Sequence, residues 1–164
     1  PLPFKKHGIV CARISSLLGS FLDGSPIGYG VGGNAGAILS RQPATVVGPD
    51  LAVYPPGTAD EDELTGWSVV PPLLAVEVLS ANDDVSQMPP KIGEYIRAGV
   101  KVVWLADPEV KTITVYRPNH HHVILKPADE LAGGDELPGF SCKVADFFRL
   151  PGDRPPPPPQ PPTP

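Results

Sequence analysis

The chain has 164 residues, of which 41% are apolar and 19% charged, so it is long enough and apolar enough to form one globular domain. Its formal net charge is −5, and four acids stand together at residues 60–63, outside which 14 acids face 13 bases. This near-neutral balance excludes a strongly basic nucleic-acid-binding domain. No stretch reaches the ~18 apolar residues of a membrane span, so no membrane partner is expected.

Cysteine and proline content narrow the class of protein further. The two cysteines, Cys11 and Cys142, are too few for a disulfide-framed secreted fold and lack metal-binding spacing, so a reducing, cytoplasmic location is expected. Nine of the 24 prolines fall within residues 151–164, which predicts a disordered proline-rich tail after a domain of residues 1–150. The tail could engage a polyproline-reading domain, although a solvated terminus is the simpler interpretation.

The chain begins with an amphipathic pattern. Apolar residues recur at helical spacing from Val10 to Phe21, and the turn-forming residues 23–26 end the pattern, which predicts a first helix. Two lysines before an apolar run also resemble a signal peptide, but Arg13 and a pair of serines interrupt that run.

A glycine-rich stretch follows the predicted helix. Residues 28–33 match the G-x-G-x-x-G pattern of dinucleotide-binding loops, but that motif needs a strand before it and a helix after it. Here a helix comes before the glycines and another glycine follows, so we favour a glycine-rich hairpin or a bulged edge strand.

The remaining pattern predicts strands on either side of a second helix. The β-prone run Leu51–Tyr54 precedes an acidic loop at residues 58–66, and Leu73–Leu79 is a continuous apolar run typical of a central strand buried on both faces. The later predicted elements are a short helix at Pro89–Ala98, strands at Val100–Ala106, Thr112–Tyr116 and Val123–Leu125, and a small helix at Val144–Phe148. This order indicates an α/β domain with a mixed β-sheet flanked by helices.

Glu77 is the most informative single residue. It lies within the apolar run and shares a strand face with Ala75 and Leu79. An ionised carboxylate at such a position is costly unless a metal, a cation or several donors compensate it. The simpler alternative is a glutamate near the strand end that reaches solvent or pairs with a lysine.

Asp50 and Lys91 are further candidates for the same site. Asp50 stands at the start of a strand, although a Pro-Asp pair is more often a turn than a ligand. Lys91 falls in the first turn of the second helix, where the dipole disfavours a cation, and its alternative is a solvated surface lysine. Two acids on neighbouring strands can hold Mg²⁺ or Mn²⁺, and a nearby lysine can orient water or stabilise phosphoryl charge. Together these residues indicate phosphodiester hydrolysis.

The segments around these residues resemble the Uma2 family, which belongs to the PD-(D/E)xK restriction-endonuclease-like superfamily. The resemblance runs from about His7 to Phe148 and rests on Val47–Val53, Ala75–Ser80, Lys91 with Tyr95 and Ala98–Val100, Val103–Pro108, Thr114–Arg117 and Leu137–Phe140. It implies a restriction-endonuclease-like fold with a metal-dependent nuclease core.

The resemblance also implies roles for individual residues. Asp50 and Glu77 would be metal ligands, and Val78 would contribute its backbone carbonyl. The superfamily's lysine normally lies two residues after the glutamate, but a leucine stands there, so Lys91 from the next helix is implied as its replacement. His7 also matches a family position, with either an accessory or a structural role.

Three features depart from the family pattern. The family's N-terminal segment, with an acidic residue that can complete the site, is expected to be missing because the sequence begins after it. Pro89 and Pro90 precede Lys91 where the family continues a helix, which leaves the direction of the lysine open. The acidic cluster at 60–63 would repel a DNA backbone if it lay near the site.

Histidines 120–122 and the two tryptophans are weaker candidates. Three adjacent histidines resemble a metal tract but cannot share one face, and Pro118–Asn119 predicts a hairpin turn. Trp67 and Trp104 are expected in the core or an interface, because no basic residues interleave with them as in a base-stacking platform.

Two functions from different classes follow. The first is a Mg²⁺- or Mn²⁺-dependent endonuclease that hydrolyses phosphodiester bonds, with DNA as the expected nucleic-acid partner. The alternative is a catalytically inactive nuclease fold that binds nucleic acid or protein. Retention of Asp50, Glu77 and Lys91 favours the enzyme, and the sequence is compatible with a homodimer.

Overall fold

The structure is a computed structural model that describes residues 4–41, 44–60 and 65–153. The helices within these ranges are α1 (Lys5–Leu22), α2 (Met88–Arg97), which follows a 3₁₀ turn at Val85–Gln87, and α3 (Val144–Phe147). The strands are β1 (Tyr29–Gly32), β2 (Ala37–Arg41), β3 (Ala44–Val47), β4 (Leu51–Tyr54), β5 (Leu74–Val78), β6 (Val102–Asp107), β7 (Thr112–Tyr116), β8 (Val123–Leu125), β9 (Glu130–Ala132) and β10 (Ser141–Lys143).

Six of these strands form the main sheet, in the order β1-β4-β5-β6-β7-β8. β5 and β6 are parallel, while the other adjacent pairs are antiparallel. A parallel pair needs a crossover connection, and α2 lies within the segment that links these two strands. Strands β2 and β3 pair with each other, as do β9 and β10. The predicted mixed α/β sheet is therefore confirmed.

Helices cover both faces of the sheet. On one face, α1 and α3 pack against alternate residues of β5 and β6, including Val76 and Trp104. On the other face, Ile92 and Tyr95 of α2 pack against the intervening residues, including Ala75. Because side chains alternate along a strand, Glu77 shares the α2 face with Ala75.

Most predicted elements appear in the structure with small shifts at their ends. The central strand, the apolar face of α1 and the C-terminal helix form as expected, and the glycine-rich stretch forms the edge strand β1 rather than a cofactor loop. The turn before His120 is confirmed by Asn119, which has φ 60°. Trp104 is fully buried, whereas Trp67 is 62% exposed and is not a core residue.

Some predicted features fall outside the described residues. These are the acidic residues 61–63, whose distance from the site is therefore not described, and residues 154–164 of the proline-rich tail. The boundary at residue 150 stays a prediction. Within the described residues, no helix combines the length and the apolar character needed to cross a membrane.

Candidate active site

The candidate site lies at one end of the two inner strands β4 and β5, where β4 begins and β5 ends. Leu51 pairs with Val76 in the antiparallel β4–β5 ladder, so the next position along each strand brings Asp50 opposite Glu77. Residues directly opposite each other in such a ladder are close neighbours. The strand pairing therefore brings together two acids that are 27 positions apart in the sequence.

Asp50 is held from two sides. Its Oδ2 accepts a hydrogen bond from the backbone N–H of Val78 at 2.8 Å, so the side chain extends the β4–β5 hydrogen bonding beyond the end of the ladder. Its Oδ1 lies 3.3 Å from Nε2 of His7, in the first turn of α1. These contacts fix the carboxylate between the sheet and the first helix, and both side chains are largely buried.

Glu77 is buried, with only 6% of its surface exposed. The Tyr95 hydroxyl donates a hydrogen bond to its Oε1 at 2.5 Å, and Nζ of Lys91 lies 2.8 Å from its Oε2. Burial raises the pKa of Glu77, while the charge and hydrogen bond of Lys91 and the hydrogen bond of Tyr95 oppose the shift, and the charge of Asp50 adds to it. The sequence predicted a strand carboxylate that needs a compensating charge or donor. In the structure this carboxylate is buried, and Lys91 pairs with it.

Lys91 reaches the site from the first turn of α2. Two prolines stand at the start of this helix, where a missing backbone N–H costs no intrahelical hydrogen bond. They therefore do not turn the lysine away. Lys91 and Tyr95 are one helical turn apart and lie on the same face, so one short helix brings a cation and a hydroxyl donor to Glu77.

Tyr95 donates as a neutral phenol. Burial raises its pKa above the usual range, and the charge of Glu77 raises it further. The hydroxyl therefore keeps its proton and can serve as a permanent hydrogen-bond donor to the carboxylate.

A cavity of about 230 Å³ opens where β4 begins and β5 ends. Its walls are formed by His7, Asn34, Gly48, Asp50, Glu77, Val78, Ser80, Asn82, Asp83, Met88 and Lys91. Within the described ranges, no hydrogen-bond partner reaches the buried hydroxyl of Ser80. Another cavity, of about 320 Å³ between α1 and β1, is lined mainly by apolar side chains and glycine backbone. The acids and the lysine of the candidate site instead line the cavity of about 230 Å³.

All five residues predicted for the site line this cavity: His7, Asp50, Glu77, Val78 and Lys91. The structure brings them together from α1, α2, β5 and the residue before β4. Their catalytic and metal-binding roles stay predictions.

Tyr95 is a site residue that the sequence did not indicate, whereas Cys11 lies next to His7 without lining the cavity. In the sequence Tyr95 falls at an apolar position of its helix, and the signal for its polar role is its spacing of four from Lys91. Cys11 has no metal-binding spacing to Cys142, but it stands four residues after His7 on the same helix. Burial raises the pKa of the Cys11 thiol to about 12, and the charge of Asp50 adds to that effect.

Comparison with known proteins places the chain in a family. The model of the Uma2 family, described as "Putative restriction endonuclease", matches residues 1–145. The chain also resembles a crystal structure of "a putative nuclease belonging to DUF820" from Anabaena variabilis ATCC 29413, with a TM-score of 0.78 and 19% identity over 90% of this chain and 83% of that one. That likeness shows a shared fold, and among curated proteins none matches. Because the family match spans most of the sequence, the chain belongs to the Uma2 family.

Proposed function

We propose that this protein is a metal-dependent endonuclease that hydrolyses phosphodiester bonds of DNA. The observation that carries the proposal is the convergence of Asp50, Glu77 and Lys91 on one cavity. Membership of a family described as "Putative restriction endonuclease" supports the same class of reaction.

The residues fit a hard divalent cation. The two carboxylates of Asp50 and Glu77 and the single ammonium group of Lys91 leave the site with excess negative charge. Mg²⁺ and Mn²⁺ prefer such oxygen ligands. Asp50 and Glu77 would hold the ion together with the carbonyl of Val78.

The backbone of Val78 supports its predicted part in this ligand set. Its N–H points at Asp50. In an extended strand the N–H and C=O of one residue face the same edge, so its carbonyl is directed to the side on which Asp50 lies. A bound cation would activate water for attack on phosphorus and neutralise charge on the phosphoryl oxygens.

The protein's own residues prepare the reaction in three ways. Lys91 is 30% exposed, so its ammonium group can meet a phosphoryl oxygen or an attacking water while it remains beside Glu77. Tyr95 fixes the direction of the Glu77 carboxylate by its hydrogen bond. His7 holds Asp50 from the opposite side, which makes it a positioning residue in this proposal.

Nicking of supercoiled plasmid by the full chain in Mg²⁺ or Mn²⁺ tests the function. We expect Glu77→Gln and Lys91→Ala to lose about 10²-fold or more of the rate, the usual cost of removing a group that stabilises the transition state. Lys101→Ala is a matched control, because this lysine is exposed and lies outside the cavity. Equal nicking by all four proteins would refute the proposal. DNA binding without cleavage by the wild type would instead support the inactive binding module.

A further inference from the structure

A second set of donor atoms lies beside the candidate active site, on the side of α1. His7, Cys11 and Asp50 each offer one ligand atom, and these three atoms lie within 4.8 Å of one another. His7 and Cys11 are one turn apart on an 18-residue helix, and Asp50 is anchored by the backbone of Val78. The three donors are therefore held in place by secondary structure.

The spacing of these atoms suits a tetrahedral ion. Bond lengths to zinc of about 2.0–2.1 Å for nitrogen and oxygen and about 2.3 Å for sulfur place neighbouring ligands about 3.3 Å (N to O) and about 3.5 Å (N to S) apart. The observed distances from Nε2 of His7 are 3.3 Å to Oδ1 of Asp50 and 3.8 Å to Sγ of Cys11. Sγ is nearly equidistant from the two ring nitrogens, with Nδ1 at 3.6 Å, so an ion shared by the three donors also requires rotation of the His7 ring.

The chemistry of the donors distinguishes this set from the Asp50–Glu77 set. A thiolate and an imidazole are ligands for Zn²⁺ and related transition metals, whereas Mg²⁺ prefers oxygen. The two sets share Asp50. They differ in that one uses Glu77 and the other uses His7 and Cys11.

We propose that His7, Cys11 and Asp50 form a zinc site that inhibits the nuclease. The inhibitory part of the proposal rests on the proposed function, whereas zinc binding does not. On binding, the S–H bond of Cys11 breaks, a bond from Sγ to zinc forms, and the proton passes to solvent without a change of oxidation state. Because the backbone N–H of Val78 already occupies Oδ2 of Asp50, zinc bound at Oδ1 competes with a catalytic cation for this carboxylate.

Cobalt titration of the full chain tests the binding step, since Co²⁺ reports a tetrahedral site and a thiolate ligand by its absorption. We expect one Co²⁺ per chain with a sulfur-to-cobalt charge-transfer band, and loss of that band when Zn²⁺ is added. Cys11→Ala should lose the band and bind Zn²⁺ at least ~10-fold more weakly, a cost that even outer-shell partners of metal ligands reach. Cys142→Ala is the matched control, because this cysteine is also half-buried. An unchanged band in Cys11→Ala, or its loss in Cys142→Ala, would overturn the site.

Glu77→Gln separates this site from the proposed nuclease. The variant should keep the cobalt band, because Glu77 is not one of its ligands, whether or not the wild type cleaves DNA. In a nicking assay with Mg²⁺, Cys11→Ala should cleave like the wild type and need at least ~10-fold more Zn²⁺ for inhibition. Equal inhibition of both proteins by Zn²⁺ would refute the inhibitory role.

Discussion

Replacement of Lys91 by methionine tests how the structure keeps a buried carboxylate charged. Methionine retains most of the apolar length of the side chain but removes the ammonium group 2.8 Å from Glu77. The hydrogen bond from Tyr95 to the Glu77 carboxylate then remains. Removal of one partner of a buried ion pair costs about 3–5 kcal/mol. Since Lys91 is 30% exposed, water can replace part of its effect, and we expect about 3 kcal/mol at neutral pH.

The loss of stability should depend on pH, with a sign set by Glu77. Burial raises the pKa of Glu77 above its usual 4.5, so the folded chain binds this proton more readily than the unfolded chain. Stability therefore falls as the pH rises from the usual value through the folded value. Lys91 opposes that fall by lowering the pKa, so its removal costs most above this window. Below about pH 4 the glutamate is protonated in both states and the cost should nearly vanish.

Urea denaturation of the wild type and Lys91→Met at pH 7 and near pH 4 measures this difference. Lys101→Met controls for the loss of a surface lysine and should stay within about 0.5 kcal/mol of the wild type at both pH values. Glu77→Gln combined with Lys91→Met should recover most of the lost stability, because the carboxylate that Lys91 neutralises is then absent. Equal destabilisation by Lys91→Met at both pH values would refute the account of Glu77.

Three further predictions follow from individual contacts. Tyr95→Phe leaves one carboxylate oxygen of Glu77 without its donor and should cost about 1–3 kcal/mol in a urea melt, whereas no loss would contradict the hydrogen bond. Gly48→Ala places a Cβ 2.5 Å from the carbonyl oxygen of Asn34, so it should cost about 1–3 kcal/mol and slow nicking, and a neutral result would contradict this close approach. Both cysteines, whose thiol pKa values burial raises to about 12, should react with iodoacetamide at pH 8 far more slowly in the native than in the urea-unfolded chain, and equal rates would contradict their burial.

Local pattern predicted much of the fold. The helical spacing of α1 and the apolar run of β5 each correspond to an element whose apolar side chains are buried in the structure. The short strands were harder to predict, since β9 and β10 have three residues each and depend on pairing with each other rather than on an alternating pattern. Strand β2 ends in serine and arginine, and it forms because β3 supplies its hydrogen bonds.

The site could be predicted only in part, because its residues meet through strand pairing between distant segments of the chain. Glu77 is conspicuous in the sequence because it interrupts an apolar run, but its opposition to Asp50 depends on the register of β4 against β5. Tyr95 looks like a core residue by spacing, and its ring is indeed buried, while its hydroxyl donates a hydrogen bond to Glu77. Long-range pairing decides such contacts, and a local pattern does not contain it. The cytoplasmic location stays a prediction, and a homodimer stays an arrangement with which the sequence is compatible.

The central claim is that Asp50 and Glu77 hold one divalent cation between them. Calorimetric titration of Mn²⁺ into the full chain, with circular dichroism as a check of folding, tests it most directly. We predict one Mn²⁺ per chain, at least ~10-fold weaker binding in Asp50→Asn and in Glu77→Gln, and unchanged binding in Asp135→Asn, which alters an exposed acid outside the cavity. Wild-type affinity in a folded Asp50→Asn or Glu77→Gln variant would contradict the claim.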